Sequence, residues 1–252
     1  MKVIFVGAGP GNPELITLKG YKALQNADIV IYAGSLVNPE LLKYCQESCE
    51  IFDSAVMDLG EIVDVCEAGV KAGKTVVRLQ TGDYSIYGSL REQVEEFHKR
   101  QIPYELIPGV SSFLGAASAI GCEYTVPEIS QSVIITRKEG RTPVPVRESL
   151  KSFAAHQTSM VIFLSSTFVS EVCDELIEGG YPVTTPAAIV YKATWPDEKI
   201  LRGTLSNLPE LAAAEGISKM SLIMVGEFLG DTFNYSKLYD KAFAHEFRDA
   251  KA

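Results

Sequence analysis

The chain of 252 residues is poor in the side chains that most often carry catalysis. Its five cysteines (Cys45, Cys49, Cys66, Cys122, Cys173) are odd in number and scattered, with no C-x-x-C pair. That pattern argues against a disulfide framework and against a thiolate metal site, and it fits reduced thiols in a cytoplasm. The three histidines, His98, His156 and His245, lie in polar stretches away from any glycine loop, which leaves them as surface residues. No apolar run approaches the roughly 20 residues of a membrane span. The N-terminus runs straight into a strand, so no signal peptide is expected. Lys and Arg number 23 against 32 Asp and Glu, a formal charge of −9. Nucleic acid and anionic membranes are therefore poor partners, and an anionic substrate would need a local basic patch.

The organising stretch is the first turn, Val6-Gly7-Ala8-Gly9-Pro10-Gly11-Asn12-Pro13, between an apolar run and a helix start. It imitates the dinucleotide fingerprint G-x-G-x-x-G but departs from it. The third glycine would be residue 12, which is Asn12, and Pro10 removes an N–H where a pyrophosphate would want one. The second strand, 29–32, ends in Ala33 and Gly34, with no acid for a ribose hydroxyl. A tight turn without a ligand is the plain alternative for this stretch taken alone.

Further along, apolar β-branched runs at 29–32, 75–79 and 104–107 alternate with helical patterns at 62–70 and 91–100. Residues 41–47 look helical and Ile51-Phe52 is a short edge strand. Such alternation predicts a mostly parallel sheet, with ligands beyond the carboxyl ends of its strands. Three strands end in suitable loops: 7–11, Thr81-Gly82-Asp83, and Pro108-Gly109-Val110-Ser111-Ser112. Asn-Pro-Glu-Leu occurs at 12–15 and again at 38–41, and both read as helix starts, although Thr17 is a second candidate cap. A polar stretch at 121–131 marks the boundary between a first α/β domain (1–121) and a second (122–230), followed by a helical tail (231–252). In the second domain, strands at 187–191 and 199–204 are joined too tightly for a helical crossover and must pair antiparallel, so that sheet is mixed. Arg137, Lys138 and Arg141 form the densest basic cluster of an acidic chain; a solvated loop is the plain alternative. Residues 233–248 read as an amphipathic helix.

Taken together, these loops resemble the tetrapyrrole (corrin and porphyrin) methyltransferase family, along essentially the whole chain. The stretches Tyr32-Ala33-Gly34-Ser35-Leu36-Val37, 136–145 and 191–198 are similar to one corrin-ring-methylating member, of cobalamin biosynthesis. The resemblance implies two α/β domains with a cofactor trough between them, not a Rossmann-type methyltransferase, and a homodimer. It implies S-adenosylmethionine as methyl donor and a small-molecule tetrapyrrole as substrate. Residue by residue, Pro10 would lie under the cofactor. Thr81, Gly82, Asp83 and Ile86 would line its methionine part with Ser111 and Ser112 close by, and Leu164, Ala193, Thr194 and Gly226 would meet the adenosine. The substrate's carboxylates make Arg91, Arg137, Lys138, Arg141 and Lys192 the candidate counter-charges.

Two departures matter. Uroporphyrinogen-III methylases carry an acid after the second strand, assigned as a base, where this chain has Ala33-Gly34. Thr81 stands where the family often has glycine. Displacement at a sulfonium needs no general acid, so catalysis here is expected to be positional, with Asp83 the only catalytic candidate. Asp83 either orders its loop through backbone bonds, as Asp in turns usually does, or favours the sulfonium by its charge. The remaining alternatives are a uroporphyrinogen-III methylase or another corrin-ring methylase, a nicotinamide-dependent oxidoreductase and a silent nucleotide-binding module.

Overall fold

The computed structural model describes residues 1–249. They form two compact α/β units, the first comprising Met1–Ala116 with Lys192–Glu198, the second Ala117–Tyr191 with the chain from Lys199 onward.

In the first unit the elements run β1 (Val3–Gly7), α1 (Leu18–Gln25), β2 (Ile29–Tyr32), β3 (Glu50–Asp53), α2 (Leu59–Lys71), β4 (Val76–Gln80), α3 (Leu90–Lys99) and β5 (Tyr104–Ile107). α4 (Ser112–Ile120) follows and carries the chain into the second unit. The strand order is β3-β2-β4-β1-β5 and every pairing is parallel. Both faces are covered, which is why these strands read as nearly unbroken apolar runs. Val3, Phe5, Ile29, Ile31 and Val76 pack with Ile62, Val63 and Phe97 of α2 and α3. Val6, Val30, Val77 and Leu79 pack on the other face with Ala23 and Leu24 of α1. Asn12 and Thr17 are both caps. Asn12 accepts from the Glu14 N–H at a short 3-10 turn, and Thr17 accepts from the Gly20 N–H at the start of α1. The helix expected over 41–47 is instead a 3-10 segment, Pro39–Tyr44, capped by Asn38.

The second unit contains β6 (Val133–Arg137), α5 (Leu150–Ala154), β7 (Ser159–Phe163), α6 (Val169–Glu178), β8 (Pro186–Tyr191), β9 (Lys199–Thr204), α7 (Leu208–Ala214) and β10 (Ser221–Val225). Its sheet order is β6-β7-β10-β8-β9, parallel only at β6/β7 and antiparallel elsewhere, including the expected β8/β9 pair. The core is built from Met160, Ile162, Ile189 and Ile223 against Val172 and Leu176. The helix expected over 233–248 does not form. Ser236 accepts from the Leu238 N–H and Asp240 from the Ala242 N–H, local bonds that compete with a helix ladder. Only a 3-10 turn, Lys237–Tyr239, results, and the Arg248 guanidinium donates to the carbonyls of Leu238, Asp240 and Phe243. Residues 250–252 of the expected tail lie outside the described residues. No helix among the described residues is long and apolar enough to cross a membrane.

Candidate functional site

Because β4, β1 and β5 are adjacent and parallel, the loops that leave their carboxyl ends emerge side by side. Gly9 and Gly82 exchange backbone bonds, Gly9 N–H to Gly82 O at 3.2 Å and Gly82 N–H to Gly9 O at 3.0 Å. The third loop closes on the other two at Gly109. A Cβ there would lie 2.2 Å from the Gly82 carbonyl oxygen and 2.7 Å from Gly7 Cα, so only glycine permits this approach.

Asp83 ties the loops together from the side. Its Oδ2 accepts from the Gly109 N–H at 2.7 Å, and its Oδ1 accepts from the Ser85 N–H at 2.9 Å and from the Ser85 hydroxyl. Burial alone would raise its pKa, but the bonds from Ser85 and Gly109 outweigh that and hold the carboxyl below its ordinary value. Of the two roles open to Asp83, this geometry supplies the first, ordering the loop.

The segment 192–198, far along the chain, packs as part of the first unit. Lys192 and Thr194 have φ of 47° and 67°, a left-handed conformation that is costly for a β-branched residue, on the order of 1–3 kcal/mol. The surroundings hold it. The Asn12 N–H donates to Thr194 Oγ1 at 2.9 Å and the Thr194 N–H to Glu198 Oε2 at 2.6 Å. Lys192 pairs with Asp197 at 2.6 Å and lies 5.2 Å from the Trp195 ring centroid. The indole rests on the first turn, where a Cβ on Gly11 would meet Trp195 Cδ1 at 2.1 Å. On the neighbouring side, Gly115 of α4 lies against Pro10 and Thr194. Pro10, Thr194 and Ala193 thus share one neighbourhood with the glycine loops, and Pro10 and Ala193 are buried there.

The cradle also holds an unmet demand. Thr81 Oγ1 is buried with no hydrogen-bond partner, an arrangement that costs free energy until a ligand or water meets it. Ser111 is buried at the mouth of α4 and Ser112 opens that helix. Ile86 is half-buried just beyond Asp83. A small ligand rich in hydrogen-bonding groups fits these residues.

Other sequence expectations are not brought together. Leu164 follows β7, whereas Gly226 follows β10, which runs antiparallel to β7 with Val225 opposite Met160. Gly226 therefore sits at the opposite end of that sheet from Leu164, beside the Thr158 carbonyl. The basic cluster is also partly committed elsewhere. Arg137 donates to the carbonyls of Lys138, Thr142 and Pro143, shaping its own loop. Lys138 pairs with Glu175 of α6, and Lys192 with Asp197 as described. Arg91 and Arg141 are exposed.

Sequence reasoning overlooked Asn38, Glu198 and Asp53. Buried Asn38 donates from Nδ2 to the Gly11 carbonyl at 2.9 Å, pinning the first turn; its only signal was the repeated Asn-Pro-Glu-Leu. Asp53 accepts on Oδ1 from the Gly34 and Ala55 N–H groups. A carboxylate therefore does lie beside Ala33-Gly34, delivered by the neighbouring strand β3, 19 residues on. Among the described residues no group of three or more His, Cys, Asp or Glu is placed to hold a metal.

Comparison with known proteins places this geometry. A cobalt-precorrin-4 C(11)-methyltransferase of Methanocaldococcus jannaschii is 56% identical over 248 residues, 98% of this chain and 96% of the relative. A solved cobalt precorrin-4 methyltransferase, a cobalamin biosynthetic enzyme, superposes with a TM-score of 0.88 at 44% identity, over 90% of this chain and 95% of the other. A uroporphyrin-III C-methyl transferase from Thermus thermophilus, solved with S-adenosylhomocysteine, gives a TM-score of 0.75 at 26% identity over 91% and 94%. The family model for tetrapyrrole (corrin/porphyrin) methylases matches residues 2–209, and the chain belongs to that family.

Proposed function

We infer that this protein transfers the methyl group of S-adenosylmethionine to C-11 of precorrin-4 or its cobalt form, giving the corresponding precorrin-5 in cobalamin biosynthesis. The observation that carries the reading is the three-loop cradle with its buried, unpartnered Thr81 hydroxyl, in a chain so similar to a C-11 enzyme over nearly its full length. When bound, S-adenosylmethionine supplies an electrophilic methyl on a sulfonium that leaves as a neutral thioether. The protein's share is then placement and exclusion of water, which together can contribute several kcal/mol. Pro10, Thr81, Gly82, Asp83, Ile86, Ser111, Ser112, Ala193 and Thr194 hold the donor, and Leu164 of the second unit is proposed as a further contact. No residue need act as a base while the ring carbon is enamine-like. The resemblance further supports a homodimer as the working form.

A mass-spectrometric assay with S-adenosylmethionine and either form of the precorrin tests this. One added methyl, mapped to C-11, is expected, and faster on the cobalt form, the substrate named for the relatives at 56% and 44% identity. Methylation at another ring position, or none on either form, would overturn the assignment.

Of the five cations expected to face substrate, Arg91 and Arg141 are exposed and are retained as counter-charges for the acetate and propionate groups. Arg141→Ala is expected to raise the tetrapyrrole KM about tenfold, the scale of one lost charge-assisted bond, with S-adenosylhomocysteine affinity unchanged. Arg137→Ala, by contrast, should loosen the 137–143 loop and act through its disorder. Equal loss of cofactor affinity in Arg141→Ala would count against this division of labour.

A further inference from the structure

The side of the first sheet that faces α3 contains a buried cation. Arg78, on β4, is 5% exposed and no carboxylate bonds to it among the described residues. Its Nε donates to Gln93 Oε1 at 3.0 Å and one terminal nitrogen donates to the Ile31 carbonyl at 3.2 Å. Burial lowers its pKa only to about 10, so it remains charged near neutrality. A buried charge of this kind is a poor way to stabilise a fold, because well-packed apolar residues of the same volume often do as well or better. Its retention points to a role beyond stability.

What the network touches supplies that role. Gln93, itself 3% exposed and oriented by Arg78, donates from Nε2 to the Ser89 carbonyl at 3.0 Å. Gln80, next but one along the same strand, donates from Nε2 to the Gly88 carbonyl at 2.8 Å. Between them these amides grip a turn that is otherwise under strain. Tyr87 and Ser89 have φ of 55° and 49°, and Ser89 makes no side-chain cap to the helix it precedes. Gly88 is pressed so closely on Tyr84 that a Cβ would lie 2.3 Å from the Tyr84 carbonyl oxygen. The turn is continuous with Thr81-Gly82-Asp83 and Ile86. At its other end the same segment is fixed by Asp83 on Gly109 and by buried Tyr84 on Phe5. Strained backbone held on both sides by buried polar groups is characteristic of functional loops.

We propose that Arg78 is a positioning residue: through Gln93 it holds the left-handed Tyr87–Ser89 turn and thereby sets where Ile86 and the Thr81–Asp83 loop meet the methyl donor. This rests on the S-adenosylmethionine reading above. Arg78 touches no reacting atom. It works at one remove, by fixing the glutamine amide that fixes the turn.

The test uses the full chain with Arg78→Met and Gln93→Leu combined, which removes both members of the Arg78–Gln93 bond together, so that neither is left buried without the other. The melting temperature is expected to stay level or rise. The calorimetric Kd for S-adenosylhomocysteine should rise about tenfold, and KM for S-adenosylmethionine with it, while kcat at saturating donor stays within about threefold. A merely structural role predicts the opposite pattern, a lower melting temperature with unchanged Kd in the folded fraction, and that result would overturn the proposal. If the double variant does not fold, Arg78→Lys keeps the buried charge but loses the forked geometry. It should give a smaller rise in Kd, three- to fivefold, and an unchanged Kd there is equally fatal. Wild-type protein that fails to bind S-adenosylhomocysteine at all would instead remove the donor reading, and this inference with it.

Discussion

Gly109→Ala is expected to abolish measurable S-adenosylhomocysteine binding while both sheets remain folded. The added methyl has nowhere to go. It would stand 2.2 Å from the Gly82 carbonyl oxygen and 2.7 Å from Gly7 Cα, and both obstacles are backbone, which no rotamer change can move aside. Overpacking of this sort costs about 1–3 kcal/mol, and here it separates three loops at once. The circular dichroism spectrum should be retained with a lowered melting temperature, while calorimetry shows affinity reduced by a hundredfold or more. Wild-type affinity in this variant would mean that the donor binds elsewhere. The parent strands β1, β4 and β5 continue well below the collision, so global unfolding is not the expected outcome.

The second large effect concerns Asp83. Asparagine has the same shape, but the structure shows both carboxylate oxygens accepting, Oδ1 from Ser85 and Oδ2 from Gly109. Asp83→Asn must therefore turn an NH2 group toward one of those donors. Leaving a partly buried donor without an acceptor costs about 1–3 kcal/mol, and the Gly109 loop is expected to lift. S-adenosylhomocysteine Kd should rise by ten- to a hundredfold. The single-turnover rate at saturating donor should stay within about an order of magnitude of wild type, short of the 10²–10⁴-fold typical of a lost general base. A thousandfold slower transfer with intact binding would make Asp83 a catalytic residue. The pH dependence follows from the same bonds. The carboxyl is held below its ordinary value near 4, so its contribution is complete above that pH and is lost as pH falls through the lower, folded value. Wild-type affinity should show this acid limb, and the asparagine variant should lack it.

Both effects depend on a feature that was partly legible in the chain. Glycines at the ends of three apolar β-branched runs marked the loops, because close backbone approach needs residues without Cβ. Which loop meets which was not legible. The order β3-β2-β4-β1-β5 brings residues 9, 82 and 109 side by side, and sheet order is set by packing on both faces, not by local spacing. The basic cluster shows the reverse. Five cations looked available, yet Arg137, Lys138 and Lys192 had partners that only folding could reveal: their own loop's carbonyls, Glu175 and Asp197. The tail failed for a local reason, since Ser236 and Asp240 bond neighbouring N–H groups and break a pattern that looked amphipathic.

Contiguous residues thus carry the strands and most of the helices, the parallel and mixed sheets, the three glycine loops and the family, because periodicity, turn chemistry and long motifs are local properties; the segments at 41–47 and 233–248 are the exceptions. Tertiary structure alone decided that segment 192–198 packs with the first unit, with Thr194 held by Asn12. It likewise placed Asp53 at Gly34, kept Gly226 away from Leu164, and set Arg78 beneath the Tyr87–Ser89 turn with no carboxylate bonded to it among the described residues. Each of these is a meeting of residues distant in the chain, fixed by strand order and burial, on which local sequence has no purchase.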